Sequence, residues 1–241
     1  MTLARASLFL IAIAVFSCSE KESEEPWGQT GDVKGQVVLY TEFGAMETEQ
    51  GGAVVTFQSG SSDRSVTTDA EGSFVAEDIP MGTYNLRMEK PGFASRTIPG
   101  YRLIGGENPT YANLAITRPS TTTITDLTAS FSQNTLILSG NVHHNSPYDF
   151  AQVGYVVFAG TSADVSPAKH DQSSLYWYHE GSGGSFSQDF YLNRNKFPSG
   201  STVYIVLYGS ARLYSYDNSL DRPVYDGVGD TPSNVVSVVV P

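Results

Sequence analysis

The chain has 241 residues, 16% of them charged and 12% aromatic, and its 14 Lys+Arg against 25 Asp+Glu give a net charge of -11. The length sets one or two domains, and the low charged fraction argues against a disordered acidic chain or a coiled coil. The acidic balance argues against a nucleic-acid partner, whose phosphates need a basic footprint. A single Cys excludes an internal disulfide and a Cys-based zinc cluster. What is left is an all-β chain rich in Tyr, Thr and Gly.

Residues 1–17 read as an address. Arg5 supplies a positive start, residues 8–16 are an unbroken apolar run, and Ser17 is small. That is the build of a secretory signal peptide, and the run is shorter than the ~20 residues a membrane-spanning helix needs. The only Cys follows at once, in Val15-Phe16-Ser17-Cys18. This resembles the lipobox of bacterial lipoproteins, which implies lipidation of Cys18 and a membrane as partner. Each buried CH₂ contributes ~0.8 kcal/mol, so two or more acyl chains anchor stably where one does not. Residues 18–30 then read as a tether, with four Glu and one Lys between Ser19 and Pro26. Such a run stays solvated and extended. It is similar to the acidic export signal of surface-displayed lipoproteins in some diderm bacteria. The expected location is the outer membrane, on the cell surface or, as the alternative, on the periplasmic face.

A first module is expected over residues 31–118. Period-two apolar patterning marks seven short strands at 33–40, 53–58, 65–68, 73–77, 83–89, 94–98 and 110–116. Turn chemistry separates them, as in Asp69-Ala70-Glu71-Gly72 and Pro80-Met81-Gly82. Three stretches in order, Val33-Lys34-Gly35-Gln36-Val37, Thr68-Asp69-Ala70-Glu71-Gly72-Ser73-Phe74 and Ile79-Pro80-Met81-Gly82-Thr83-Tyr84, carry a family likeness. The segment resembles the carboxypeptidase regulatory-like domain, a transthyretin-like sandwich also called the carbohydrate-binding-like fold. The resemblance implies a non-catalytic spacer or interaction module, with Asp69 and Gly72 shaping a hairpin and Phe74 and Tyr84 in the core. Related Cna B-type domains join a first-strand Lys to a last-strand Asn. Lys34 and Asn113 occupy those strands, but Met88 stands where that chemistry needs an acid, so no crosslink is expected.

Residues 119–123 read as a linker and residues 124–241 as a second sandwich. Strands are expected at 123–131, 135–142, 153–159, 186–192, 202–210 and 234–240, the first two joined across Ser132-Gln133-Asn134. The approach Phe197-Pro198-Ser199-Gly200-Ser201-Thr202-Val203-Tyr204 is similar to that of the sixth strand of fibronectin type III domains, where Tyr204 matches the tyrosine-corner position. Any immunoglobulin-like sandwich would serve as well. Residues 161–185 and 211–233 show no clear strand periodicity, and stretches of that length are functional, decorated with extra strands, or mobile.

Candidate ligand-binding residues lie in the loops. The fibronectin-like topology would bring Tyr148 and Asp149 beside Tyr214, Tyr216, Asp217 and Tyr225. Flat rings with fixed acceptors suit a sugar; the same tyrosines could instead pin long loops to the sandwich. Trp177, in Tyr176-Trp177-Tyr178, is a second candidate, or else part of an edge strand with two rings packed inward. His143, His144, His170 and His179 lack zinc-ligand spacing, and residues 217–221 and 226–230 are oxygen-rich without EF-hand spacing. No catalytic residue, metal or cofactor is expected. The expected function is a lipid-anchored, non-catalytic binding or presentation module that captures polysaccharide. The alternative is a structural or adhesive part of a surface filament or envelope complex with other outer-membrane proteins.

Overall fold

The computed structural model describes residues 30–60, 62–104, 110–146, 153–178, 183–213, 215–217 and 222–241. The expected signal peptide, Cys18 and most of the tether lie outside the described residues. Among the described residues the chain is all-β, with seventeen strands and no helix. The strands assemble two β-sandwiches in tandem.

In the first sandwich, β1 (Thr30–Tyr40) lies at the centre of a three-stranded sheet. It runs antiparallel to β4 (Ser73–Pro80) and parallel to β7 (Thr110–Thr117). Facing it is a four-stranded sheet in the order β3-β2-β5-β6: β2 (Val54–Gln58), β3 (Arg64–Thr67), β5 (Gly82–Glu89) and β6 (Arg96–Leu103). Alternation decides which side faces in. Tyr84, Leu86 and Met88 of β5 are buried, while Asn85 between them is exposed. With Phe57, Phe74, Leu39 and Ile116 they form one continuous core, each large side chain contributing roughly 1.5–3 kcal/mol by leaving water. Phe57 and Tyr84 meet edge-on at 5.9 Å.

The turn between β3 and β4 is built as the sequence implies. Asp69 Oδ1 accepts from the amides of Glu71 (3.1 Å) and Ser73 (2.7 Å). Gly72 has φ +83°, and a Cβ there would lie 2.5 Å from the Val37 carbonyl oxygen. Lys34 and Asn113 both face solvent, on residues paired with Tyr111 and Gln36.

The second sandwich opposes the sheet β12-β9-β8 to a sheet in which β11, β10 and β13 lie side by side. The first sheet holds β8 (Thr123–Ser132), β9 (Thr135–His143) and β12 (Gly183–Phe190). The second holds β10 (Val153–Gly160), β11 (Gln172–Tyr178) and β13 (Thr202–Ser210). Its far side is shared, since β17 (Val236–Val239) pairs with the start of β13 and β16 (Val228–Pro232) with its end. A small hairpin of β14 (Ser215–Asp217) and β15 (Arg222–Val224) stands apart.

The two stretches without strand periodicity therefore do contain strands: β11 in the first, β14, β15 and β16 in the second. The reason is visible in β11. Its neighbour β10 is buried at every position, so both faces of the sheet are covered and no polar alternation survives. Tyr155, Val157 and Ala159 of β10 point into the core between the sheets. Val156 and Phe158 point the other way and join Val165 and Val206 in a second, outer cluster.

Residues 117–122 are docked, not free. Thr121 donates both its amide and its hydroxyl to the Glu42 carboxylate, and Thr117 Oγ1 donates to the Thr41 carbonyl (3.0 Å). Ser120 N donates to Gly227 O (3.0 Å). A Cβ at Gly209 would lie 2.2 Å from Thr122 O, and one at Gly229 would lie 2.4 Å from Ser120 O, so bare glycine backbone admits the connector. Phe43, from the turn after β1, packs against the core of the second sandwich. Arg96 Nε stands 3.2 Å from Asp226 Oδ2, with their side chains only 15% and 6% exposed.

Candidate functional site

Of the predicted residues, Trp177 and Tyr225 lie on the outer face of the β11-β10-β13 sheet. Strand register puts Trp177 opposite Gly154, so Trp177 and Leu175 share a face with Val156 and Phe158. Tyr176 and Tyr178 turn inward between the sheets. Tyr176 stacks on Tyr155 at 5.8 Å, and its hydroxyl donates to the Asp189 carbonyl (3.2 Å). Burial pushes the hydroxyl pKa of both Tyr155 and Tyr176 above the ordinary tyrosine value. The triplet is thus an edge strand with two rings inside and the indole outside.

Trp177 is half-buried, and the Arg212 guanidinium sits over its ring at 5.6 Å. Arg212 follows the end of β13 and reaches the first sandwich. Its amide donates to the Glu42 carbonyl (3.3 Å), and its Cδ lies 3.1 Å from where a Cβ would stand on Gly44. Gly44 has φ +82°, a turn conformation that leaves room for the arginine stem. Beside this contact is a cleft of about 280 Å³ walled by Tyr40, Gly44, Ala115 and Thr117 of the first sandwich and by Arg212 and Leu213 of the second.

Tyr225 is on the same outer face, further along β10. Its ring meets Phe158 edge-on at 6.1 Å, as do those of Tyr208 (5.8 Å) and His170 (4.9 Å). A small cavity of about 100 Å³ lies among Phe158, His170, Pro223 and Tyr225. Tyr225 therefore helps hold residues 222–228 onto the sheet. Tyr148, Asp149 and Tyr214 lie outside the described residues; Tyr216 and Asp217 are placed by their backbone alone, on β14.

A third recess, also about 280 Å³, is lined by Thr161, Lys169, His170 and Asp171. There Asp171 accepts from Thr161 N (3.0 Å) and Lys169 pairs with Asp164 (2.6 Å). Of the oxygen-rich stretches, Asp226 is turned to Arg96. No group of three or more His, Cys, Asp or Glu suited to a metal occurs among the described residues.

Sequence reading missed Arg212, Tyr40 and Gly44. Nothing in their local sequence marks them, because the cleft exists only where two sandwiches meet.

By fold, the molecule is an all-β protein of two tandem sandwiches with an aromatic outer face and a cleft at the junction. Residues 44–129 match the sequence profile of the carboxypeptidase regulatory-like domain; the match begins after β1 and ends inside β8. Similar solved structures include a DUF3823 family protein from Bacteroides ovatus, at 9% identity over 88% of this chain and 100% of that one, TM-score 0.36. A candidate carbohydrate binding protein from Bacteroides uniformis is 14% identical over 88% of this chain and 100% of that one, TM-score 0.34. The major pilin SpaD from Corynebacterium diphtheriae is 9% identical over 88% of this chain and 66% of that one, TM-score 0.32. No curated protein matches the sequence.

Proposed function

We propose that this chain is a non-catalytic, lipid-anchored protein of the bacterial outer membrane that captures polysaccharide at the cell surface. The observation that carries the reading is the junction, where the Arg212 guanidinium, laid over the Trp177 ring, borders a cleft walled by both sandwiches. Tyr40 in the cleft wall is an aromatic side chain of the kind that stacks on the C–H faces of sugars, and fixed polar groups set orientation. The first sandwich acts as a spacer docked against the second, whose sheet order supports a fibronectin type III-like fold. The apolar leader, Cys18 and the acidic residues after it support the anchor and the surface location.

Affinity gels of immobilised polysaccharides, run with the full chain carrying Cys18→Ser, test the binding. Retention that Trp177→Ala abolishes is expected; no retention on any gel would sink the reading. Cys18→Ser is expected to release the protein from membranes, and protease applied to intact cells is expected to strip both sandwiches.

A second reading, assembly into a surface filament or envelope complex, is favoured by β11. It is a seven-residue sheet edge with no charge and no Pro, and bare edges of that kind pair with strands of other chains. Concentration-dependent oligomers that Ser174→Lys blocks would favour it.

A further inference from the structure

Three arginines stand over aromatic rings: Arg118 over Phe93, Arg194 over Phe131 and Arg212 over Trp177. The first two are occupied. Arg118 pairs with Glu47, and Arg194 donates to the carbonyls of Asn134 (3.2 Å) and Pro241 (3.4 Å). Among the described residues the Arg212 guanidinium meets neither a carboxylate at ion-pair distance nor a carbonyl acceptor. The nearby Glu42 carboxylate is taken up by Thr121. Yet the Arg212 side chain is positioned, its stem beside the Gly44 turn and its guanidinium over the indole. A planar fork held in place with its donors open is suited to a carboxylate, which it meets with two parallel hydrogen bonds. The cleft it borders, about 280 Å³, is near the lower end of the ~300–1,000 Å³ range of small-molecule sites and suits a single sugar ring.

We infer that the junction cleft takes a carboxylate-bearing sugar residue, a uronate unit of an acidic polysaccharide, with the carboxylate on Arg212, whose guanidinium the Trp177 ring backs. This rests on the polysaccharide-binding reading and names the class of sugar. The net charge of -11 would repel such a ligand at long range. Salt screens that repulsion beyond ~10 Å at 0.1 M, so local recognition by the fork governs binding.

The test is calorimetric titration of the full chain carrying Cys18→Ser with oligogalacturonate and with its methyl ester, which keeps the ring and loses the charge. Charge-assisted hydrogen bonds are worth enough that losing the pair costs about ten- to hundredfold in affinity. That loss is expected for the ester on the wild type and for the acid on Arg212→Gln. Arg212→Lys is expected to fall between, since it keeps the charge without the fork. Arg212 is exposed, so its variants are expected to melt like the wild type, which circular dichroism checks. Equal binding of acid and ester, or full binding of the acid by Arg212→Gln, would overturn the inference and leave the polysaccharide reading intact. A protein that binds neither probe, nor any neutral polysaccharide on the gels, would bring down both.

Discussion

The two sandwiches have the same plan, a three-stranded sheet facing a larger one, and differ in what they do with the outside of the larger sheet. In the first, β2, β3 and β5 turn Thr56, Ser65, Asn85 and Glu89 away from the core, and the sheet is wet on that face. In the second, β10 is buried at all eight positions, and Val156, Phe158 and Val206 carry a second hydrophobic layer roofed by loops. The first module's apolar surface is spent on one core. The second has a surplus, and that surplus fixes long loops and an indole on a defined face.

The comparison breaks most readily in the inner cores. Phe57 and Phe190 are both fully buried, one in each inner core. Phe57→Ala and Phe190→Ala are each expected to cost about 3–5 kcal/mol in urea denaturation. Phe158→Ala removes a ring of the same size from the outer layer. It is expected to cost less, about 2–3 kcal/mol, because covering loops can settle into the gap. Hydrogen exchange should speed up in residues 161–171 and 222–228 and hardly elsewhere. Equal costs at Phe158 and Phe190, with exchange rising throughout, would show that the outer layer is simply more core.

The next largest effect concerns whether the sandwiches behave as one body. Arg96 Nη1 donates to the Ala115 carbonyl (3.1 Å) while its Nε faces Asp226 across the junction. Removing one member of a pair buried to this degree leaves an uncompensated charge, so Asp226→Ala is expected to cost about 3 kcal/mol. A single unfolding transition should then split in two as the modules uncouple. Replacing both partners, with Arg96→Met and Asp226→Leu, is expected to recover most of the loss. An unchanged single transition in Asp226→Ala would show that Phe43 and Thr121 hold the junction without the ion pair.

How much of this could be read from sequence follows the same divide. The first module's strands were legible because one face is wet, and β5, expected at 83–89, is observed at Gly82–Glu89. In β11, half-buried at six of its seven positions, the alternation is weak, and only the triplet Tyr176-Trp177-Tyr178 pointed to an edge strand. Trp177 and Tyr225 were legible as candidates by residue type alone. Arg212 was not, since its partners Gly44 and Trp177 lie far off in sequence and are brought together by tertiary docking. Nor did residue type place the hydroxyl-to-backbone corner. Tyr204, the expected corner residue, packs against the outer cluster, whereas Tyr84 donates to the carbonyl of Pro80 four residues upstream.

Alkaline titration sharpens the contrast between the inner faces. Burial raises the hydroxyl pKa of the stacked Tyr155 and Tyr176 in the second sandwich, and of Tyr84 and Tyr101 in the first. A raised value means the folded state holds the proton more tightly. The contribution is complete below the unfolded tyrosine value of ~10 and is lost as the pH climbs from there through the folded value. Melting temperatures are therefore expected to fall above about pH 10, with Tyr155→Phe reducing the slope. A melting temperature that stays level past that point would contradict the burial of these hydroxyls.

The smallest expected effect is the most discriminating, because it sets two tyrosines of one core against each other. Tyr84 and Tyr101 are paired across β5 and β6, and both present their rings edge-on to Phe57, at 5.9 and 6.4 Å. The Tyr84 hydroxyl is bonded to Pro80, whereas the buried Tyr101 hydroxyl has no hydrogen-bond partner among the described residues. A satisfied hydrogen bond contributes roughly 1 kcal/mol net, and an unsatisfied buried polar atom carries a desolvation penalty of about 1–3 kcal/mol. Tyr84→Phe is thus expected to destabilise by about 1 kcal/mol, and Tyr101→Phe to be neutral or to stabilise by up to about the same amount. Removing a hydroxyl leaves either ring in contact with Phe57, so the two variants isolate polar satisfaction from packing. Loss of stability at Tyr101→Phe equal to that at Tyr84→Phe would mean that water reaches the Tyr101 hydroxyl at the β5–β6 end of the first core.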